Sequence, residues 1–339
     1  MVFKVAYIEI TNKCNLNCQT CYNQSGQNHT YQELACADIE VLVARLISEF
    51  DCERILFSGG EPFLHSEIEE ILRIPEHYPN VEFGIVTNGT IVNRTIISKL
   101  CQVNNISVQV SLDGASESVN CKTRGVGNFS KALVFINAVS QISDRVAIMM
   151  TVSKLNHDDI ENMYSFAIAH NIRPQFAFIG KSGNATIDWQ QKELSTLEKL
   201  HAISTIENLN SHYNCDVSIP YCMSKCILAT SSEEYSIGVK SDGTIIPCQY
   251  LYDSKKYAIG NILFDDISSL KSSLNSIKNL AIQREQTDFN CSECVISGKC
   301  HKGCMAQAEY FSQSPLGPDG QCDFRISSAL KTVFTKIKR

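Results

Sequence analysis

The sequence Cys14-Asn15-Leu16-Asn17-Cys18-Gln19-Thr20-Cys21 places three thiols within eight residues, shortly after the apolar run Phe3 to Ile10. Thiolates hold iron–sulfur clusters, and a [4Fe–4S] cube has four irons that each need a ligand. The loop supplies three, so one iron of such a cube would lack a protein ligand and would be open to chemistry. Two other interpretations fit the spacing, namely a zinc site short of one ligand and a chance group of cysteines.

The cysteine content of the whole chain indicates metal binding. The 339 residues include 16 cysteines, with three in this loop, eight between Cys222 and Cys322 and five elsewhere. Nothing near the N-terminus resembles a signal peptide, and no apolar stretch approaches the roughly 20 residues of a membrane helix, so we expect a cytoplasmic protein. Thiols stay reduced in that compartment, which makes metal a better explanation than disulfides. The eleven clustered cysteines predict three clusters.

The charge of the chain excludes some classes of partner. The net charge is −6, and there is no long run of lysine and arginine. Nucleic acids and anionic membranes require a clustered basic face. We therefore expect neither as a partner.

The first part of the chain has the pattern of a parallel βα array, in which short β-branched runs alternate with helix-period stretches. The predicted strands are Lys4 to Glu9, Arg54 to Phe57, Val81 to Val86, Ile106 to Leu112, Val146 to Val152 and Gln175 to Ile179. The predicted helices between them are Gln32 to Phe50, Ser66 to Ile74, Asn93 to Cys101, Phe129 to Ile142 and Asp158 to His170. Six βα units are two short of a closed barrel, so the fold class is α/β with an open, partial (β/α)6 barrel.

The pattern changes after a further predicted helix, Gln190 to Asn210. Cysteine-rich and turn-rich segments follow, with a predicted hairpin around Ser241-Asp242-Gly243 and a helix over Ile267 to Arg284. We therefore expect two domains, residues 1–212 and residues 213–339.

The loop and its context resemble the radical SAM superfamily. Cys14, Cys18 and Cys21 form C-x3-C-x2-C with Tyr22 next, just after a first strand. The resemblance implies that S-adenosylmethionine chelates the open iron and is cleaved to a 5′-deoxyadenosyl radical. Such chemistry belongs to the cofactor, so the protein must place it, aim the radical and exclude water.

Motifs at the strand ends extend the resemblance over residues 1 to about 180. The family's contact to the methionine amino group corresponds to Ser58-Gly59-Gly60-Glu61-Pro62, where glycines permit a close backbone approach. Thr87-Asn88-Gly89 and Ser111-Leu112-Asp113-Gly114 follow the next two strands. By the same resemblance, Ser111 and Arg124 should hold the methionine carboxylate, for which the planar guanidinium is suited. The implied cofactor-binding residues are Tyr22, Gly59, Gly60, Glu61, Asn88, Ser111 and Arg124.

The later cysteines resemble the SPASM extension of radical SAM enzymes, which carries two auxiliary [4Fe–4S] clusters. The resemblance assigns Cys222, Cys226, Cys248 and Cys304 to auxiliary cluster I, and Cys291, Cys294, Cys300 and Cys322 to auxiliary cluster II. Two structural zinc sites are the alternative. Fully ligated clusters are suited to electron transfer, which favours an oxidative reaction.

The other five cysteines have less specific interpretations. Cys36, Cys52 and Cys101 are expected to be buried apolar residues. Cys121 and Cys215 are placed in loops, where a thiol could return a hydrogen atom to a substrate radical in an epimerase.

The resemblance leaves several reactions open, and the sequence assigns no catalytic residue. Sulfatase-maturing members have Asp after the cysteine that matches Cys248, whereas this chain has Gln249-Tyr250, so that activity is not expected. Our first hypothesis is an enzyme that oxidatively modifies a ribosomally made peptide, forming a crosslink or a thioether. A small-molecule dehydrogenase or epimerase and a non-enzymatic metal-binding scaffold are the alternatives. The expected partners are the substrate and an external electron donor such as flavodoxin or ferredoxin. Because only 13 residues precede Cys14, we expect that a peptide leader is held by a separate leader-peptide-binding protein or that the substrate has no leader.

Overall fold

Strands from both predicted domains form one sheet. The structure is a computed structural model that describes residues 2–27, 30–218, 234–287, 289, 291, 302–320 and 322. Its strands are β1 Val2–Thr11, β2 Arg54–Gly59, β3 Glu82–Thr87, β4 Ile106–Ser111, β5 Val146–Val152, β6 Arg173–Phe178, β7 Glu234–Val239, β8 Thr244–Ile246 and β9 Gly260–Asn261. The sheet order is β6-β5-β4-β3-β2-β1-β7-β8-β9. The six predicted strands β1 to β6 pair in parallel and in chain order, which confirms the partial (β/α)6 barrel.

Helices connect the strands of this sheet. They are α1 Cys36–Phe50, α2 Ile68–Ile71, α3 Arg94–Gln102, α4 Glu117–Arg124, α5 Asn128–Ala138, α6 Ile160–Ala169, α7 Trp189–Lys192, α8 Thr196–Tyr213, α9 Ile267–Gln286 and α10 Met305–Ser312. Local chemistry explains several starts. The Asn93 side chain accepts from the Thr95 and Ile96 amides at the start of α3, Ser195 and Glu198 form a capping box on α8, and Asp266 accepts from the Ser269 amide on α9.

Some predicted helix limits were wrong. Helix α1 starts at Cys36 rather than Gln32, because the Leu34 amide bonds the Ile10 carbonyl at 3.0 Å and holds the preceding residues against β1. Helix α2 is four residues long and is followed by a 3-10 turn at Ile74–His77, since Pro75 removes a backbone donor. Helix α4 was not predicted, and it carries both Arg124 and Cys121, so Cys121 lies in a helix and not in a loop.

The two faces of the barrel strands differ in burial. On β4 and β5 every second residue, such as Val108 and Ile148, is fully buried on the helix side, while the residues between them are only half-buried. This alternation is the period of a strand with one face packed and the other lining a space. The space inside the curved sheet is therefore partly open, and the carboxyl ends of the strands lead into it.

The predicted hairpin joins the barrel directly. Strand β7 pairs in parallel with β1, and β8 is antiparallel to β7, which confirms the hairpin itself. The chain after α8 thus extends the same sheet on the β1 side. Within the described ranges, no helix combines the length and apolar character needed to cross a bilayer.

Candidate active site

The thiol loop Cys14–Cys21 lies at the carboxyl end of β1 and is held by the end of β2. The amide of Gly60 bonds the Thr11 carbonyl, and the amide of Glu61 bonds the Lys13 carbonyl, both at 2.8 Å. A Cβ at Gly59 would stand 2.1 Å from the Thr11 oxygen, and one at Gly60 would stand 2.2 Å from the Lys13 oxygen. Gly59 also has φ +135°, which disfavours other residues. The room left by these two glycines is taken by the backbone that leads into the thiol loop.

Glu61 and Asn88 connect the loop to the end of β3. The fully buried Glu61 carboxylate accepts from Thr87 Oγ1 and the Asn88 amide, each at 2.7 Å, and from the Phe63 amide at 3.2 Å. Burial raises the pKa of Glu61 to about 7, against the effect of these hydrogen bonds. The Asn88 side chain donates to Asn15 Oδ1 at 3.0 Å. Both residues therefore connect the thiol loop to the end of β3.

An ion pair at the end of β4 provides the cation of the site. Arg124 Nε lies 2.9 Å from Asp113 Oδ2, and Nη2 donates to Asp113 Oδ1 at 3.3 Å. Asp113 is fully buried and also accepts from the Thr151 amide and from Thr123 Oγ1, both at 2.9 Å. The Asp113 charge raises the pKa of Arg124, although burial opposes it. This pair orients one side of the guanidinium, and the Gln19 amide bonds the nearby Thr123 carbonyl at 2.8 Å.

The segment after β6 also holds the loop, which was not predicted from the sequence. The Asn184 side chain donates to Asn17 Oδ1 at 3.0 Å and to the Cys18 carbonyl at 2.9 Å, and it accepts from Gln27 at 2.9 Å. Its amide also bonds the Cys21 carbonyl at 2.8 Å. Gly183 has φ +51°, and a Cβ there would stand 2.4 Å from the Cys21 oxygen. The Gly-Asn pair just after the sixth strand was the available signal.

The inner face of the sheet presents polar side chains that were not predicted from the sequence. Register places Gln109 opposite Ala147 and Gln175 opposite Met149, and all four residues are half-buried on one face. Ser111 pairs with Met149 on that face at the carboxyl end of β4. Tyr7 lies on the same face of β1. The alternating polar residues Ser107, Gln109 and Ser111 in a parallel strand could have revealed this lining.

The thiols fit an iron–sulfur cluster in kind and surroundings. Burial raises the pKa of Cys14 to about 11 and of Cys18 to about 12, while the charge of Arg124 lowers both. Burial also raises the pKa of Cys21. Among the described residues, no three His, Cys, Asp or Glu side chains stand close enough to enclose a single metal ion. A [4Fe–4S] cube has a different requirement, since each thiolate binds a separate iron, and three neighbouring thiols beside a cation meet it.

Tyr22 contacts the segment that follows the hairpin. It is half-buried, and its ring makes an edge contact with Tyr252, with centroids 5.7 Å apart. Burial raises the pKa of Tyr22, and the nearby Glu9 charge adds to that effect. The structure thus groups Tyr22 with Glu9 of β1 and with Tyr252, whereas Ser111 is the last residue of β4 and Arg124 the last residue of α4.

Of the predicted auxiliary ligands, Cys248, Cys291, Cys304 and Cys322 are described, and Cys222, Cys226, Cys294 and Cys300 lie outside the described residues. The pKa of Tyr250 is raised first by burial and then by the nearby Cys304 and Cys248, so both thiols lie close to one phenol. The Tyr250 hydroxyl donates to the Phe178 carbonyl at the end of β6, at 2.9 Å. Both thiols are therefore near a phenol that reaches the carboxyl edge of the barrel.

The Cys304 segment is tightly held. The Cys304 amide donates to Asp319 Oδ2 at 2.8 Å. The buried Arg284 donates to the Gly303 carbonyl at 3.1 Å, which ties the segment to α9. Such fixed backbone is what a ligand residue needs.

The other five cysteines differ in burial. Cys52 is buried, and Cys36 and Cys101 are half-buried against the core. Cys121 is half-buried on α4, and Cys215 follows α8.

Comparison with known proteins agrees with this geometry. Residues 8–167 match the Radical SAM superfamily. The mycofactocin maturase MftC of Mycolicibacterium smegmatis is 25% identical over 332 residues, which cover 93% of this chain and 81% of that protein. The Fe-coproporphyrin III synthase of Methanosarcina barkeri is 33% identical over 170 residues, which cover 50% of this chain and 42% of that protein.

Solved structures extend the likeness in fold over nearly the whole chain. Streptococcus suis SuiB bound to S-adenosylmethionine has a TM-score of 0.76 and 16% identity, covering 95% of this chain and 77% of that one. SuiB bound to its precursor peptide SuiA has a TM-score of 0.75 with 16% identity, covering 95% and 76%.

Proposed function

Because this chain is a radical SAM enzyme, we propose that it uses S-adenosylmethionine to modify a ribosomally made peptide oxidatively. The observation that carries the proposal is the position of Cys14, Cys18 and Cys21. Besides burial, Cys14 and Cys21 both raise the pKa of Cys18 by their charge and Arg124 lowers it, so the three thiols and this cation are neighbours at the carboxyl edge of a parallel sheet. Sites in βα folds lie at this edge.

Each group of residues would have a distinct task. Cys14, Cys18 and Cys21 would hold a [4Fe–4S] cluster, which with S-adenosylmethionine supplies the 5′-deoxyadenosyl radical. Asp113 fixes one side of Arg124, and we assign the remainder of the guanidinium, with Ser111, to the methionine carboxylate. The amides of Gln109 and Gln175 on the inner face can hydrogen-bond the substrate.

The C-terminal part would carry the two auxiliary clusters, and we propose residues 1–212 and 213–339 as the two domains. The proximity of Cys248 and Cys304 to Tyr250 supports a shared cluster I. The bond from Tyr250 to the Phe178 carbonyl supports a position of that cluster next to the barrel. A nearby cluster could accept the electron left on the substrate while a proton leaves, so that the product is two electrons more oxidised.

A peptide substrate is supported by proteins that resemble nearly the whole chain. MftC is named a maturase, and SuiB has been solved with a precursor peptide, and both likenesses cover at least 93% of this chain. The Fe-coproporphyrin III synthase favours the small-molecule alternative, but its likeness covers only 50% of the chain. The C-terminal part therefore favours the peptide.

The first experiment tests S-adenosylmethionine chemistry. Protein reconstituted anaerobically with iron and sulfide is incubated with S-adenosylmethionine and dithionite, and 5′-deoxyadenosine is measured. Cys18→Ala should abolish its formation, whereas Cys101→Ala, a half-buried cysteine on α3, should not. Equal activity in the two variants would contradict the assignment of the loop.

The second experiment tests the peptide and the oxidation. Short peptides encoded beside the gene are co-expressed with the enzyme and analysed by mass spectrometry. We expect a product lighter by two hydrogen atoms, and we expect Cys248→Ala to lose it while 5′-deoxyadenosine still forms. Unchanged mass with solvent deuterium at one carbon would indicate an epimerase, and turnover of none of these peptides would overturn the peptide assignment.

A further inference from the structure

Glu9 is a buried carboxylate whose partners come from distant parts of the chain. It lies on β1, five residues before Cys14, and is 3% exposed. Burial raises its pKa, and three uncharged side chains oppose that effect by hydrogen bonding. Burying such a group is costly unless its oxygens are well bonded. The three donors therefore determine whether Glu9 can be buried at this position.

The donors connect two segments that the sheet alone does not join. Asn23, two residues after Cys21, donates to Glu9 Oε2 at 2.9 Å. From the hairpin turn, Ser241 Oγ donates to Oε1 at 2.9 Å, and the Tyr252 hydroxyl donates to the same oxygen at 2.8 Å. Tyr252 lies four residues after Cys248. One carboxylate thus bonds both the end of the thiol loop and the segment 241–252.

The contacts continue on each side of Glu9. Asn23 Oδ1 lies 3.0 Å from Cys21 Sγ and accepts a hydrogen bond from Ser25 Oγ at 2.8 Å. The Tyr252 ring contacts Tyr22, and Lys240 Nζ stands 4.4 Å from the centre of the Tyr252 ring. Two independent contacts, the hydrogen bonds through Glu9 and the ring pair, therefore join the same two segments.

The backbone next to Glu9 is shaped for this position. The pairing of β1 with β2 shifts register between Glu9 and Thr11. Such irregularities redirect a side chain. A Cβ at Gly59 would stand 3.1 Å from Glu9 Cγ, so the glycine also leaves room for the carboxylate.

We propose that Glu9 is a positioning residue that couples the thiol loop to the segment 241–252. The arrangement around Cys21 then depends on contacts made by Tyr252 near the proposed auxiliary site. A loop that is ready for S-adenosylmethionine would form only when the C-terminal segment is in place.

The test removes a hydroxyl that belongs to the segment 241–252 and not to the thiol loop. Tyr252→Phe removes only the bond to Glu9, and Tyr257→Phe is a matched control because its hydroxyl also donates to a carboxylate, Glu309, at 2.8 Å. Hydrogen exchange is measured by mass spectrometry on the reconstituted full-length protein. We expect peptides within residues 14–25 to exchange roughly tenfold faster in Tyr252→Phe, the effect of one lost hydrogen bond to a charged group. The control should leave these peptides unchanged.

A second readout separates positioning from a general loss of stability. Glu9→Gln and Tyr252→Phe should raise the half-saturating S-adenosylmethionine concentration for 5′-deoxyadenosine formation by similar factors. The double variant should show no more than the larger single effect, since both substitutions break one connection. Each of three results would overturn the proposal. The double variant could raise the half-saturating concentration by the product of the two single factors, Tyr257→Phe could raise it as much as Tyr252→Phe, or hydrogen exchange in residues 14–25 could stay unchanged. Failure to cleave S-adenosylmethionine at all would count against the proposed function, while the exchange measurement would still decide the coupling.

Discussion

Replacement of Asn184 should lower the free energy of unfolding, because this side chain holds the thiol loop. Asn184 is 3% exposed, and its side chain makes three hydrogen bonds, to Asn17, the Cys18 carbonyl and Gln27. Each such bond contributes about 1 kcal/mol net, so Asn184→Ala should lower the free energy of unfolding by about 3 kcal/mol. The backbone bond from residue 184 to the Cys21 carbonyl would remain, because alanine keeps its amide.

The single tryptophan of the chain reports on this region. Trp189 is 6% exposed, lies five residues after Asn184 and contacts Phe311. Urea unfolding of the metal-free protein, followed by tryptophan fluorescence, gives the free energy by linear extrapolation. Asn162→Ala is the control, because it removes one side-chain bond, to Asp159 at 2.7 Å, and should cost about 1 kcal/mol or less. If the two variants unfold at the same urea concentration, the assignment of Asn184 as the closing residue of the loop is wrong.

Three further predictions concern the cation, the buried acid and the metal content. Arg124→Lys should weaken S-adenosylmethionine binding by roughly tenfold in equilibrium dialysis, because an ammonium cannot make two-point contacts. Arg145 is the control: it bonds backbone carbonyls, including that of Ile106, and Arg145→Lys should leave this binding unchanged. Burial raises the pKa of Glu61 from 4.5 to about 7, so between these pH values the folded state keeps a proton that the unfolded chain releases. The free energy of unfolding of the wild type should therefore fall by roughly 3 kcal/mol as the pH rises through this range. Glu61→Gln should flatten this pH dependence, as measured by urea unfolding at pH values on either side of the range. Reconstituted protein should hold about twelve irons by metal analysis, and replacing Cys14, Cys18 and Cys21 with Ala should remove about four; stoichiometric zinc with little iron would contradict this.

The sequence predicted the barrel because its signals are local. A strand such as Val146–Val152 is a short run of mostly apolar residues, and in the helix after it apolar residues recur every three or four positions. Both patterns can be recognised without knowing which other elements the segment contacts. The hairpin before Cys248 was readable for the same reason, from the Ser241-Asp242-Gly243 turn. The predicted ends of helices were wrong where a contact with a distant strand or a proline interrupted the helix, as at Leu34 and Pro75.

The sequence by itself determined the order of the parallel strands and the three-thiol loop at the end of the first one. Only the tertiary structure decided which groups hold that loop. Asn184 bonds a carbonyl 166 positions away, and Tyr252 bonds a carboxylate 243 positions away, so no local pattern contains these pairs. The pairing of β7 with β1 is of the same kind. Buried polar groups must find partners wherever folding brings them together, and these partners are fixed by packing and not by spacing along the chain.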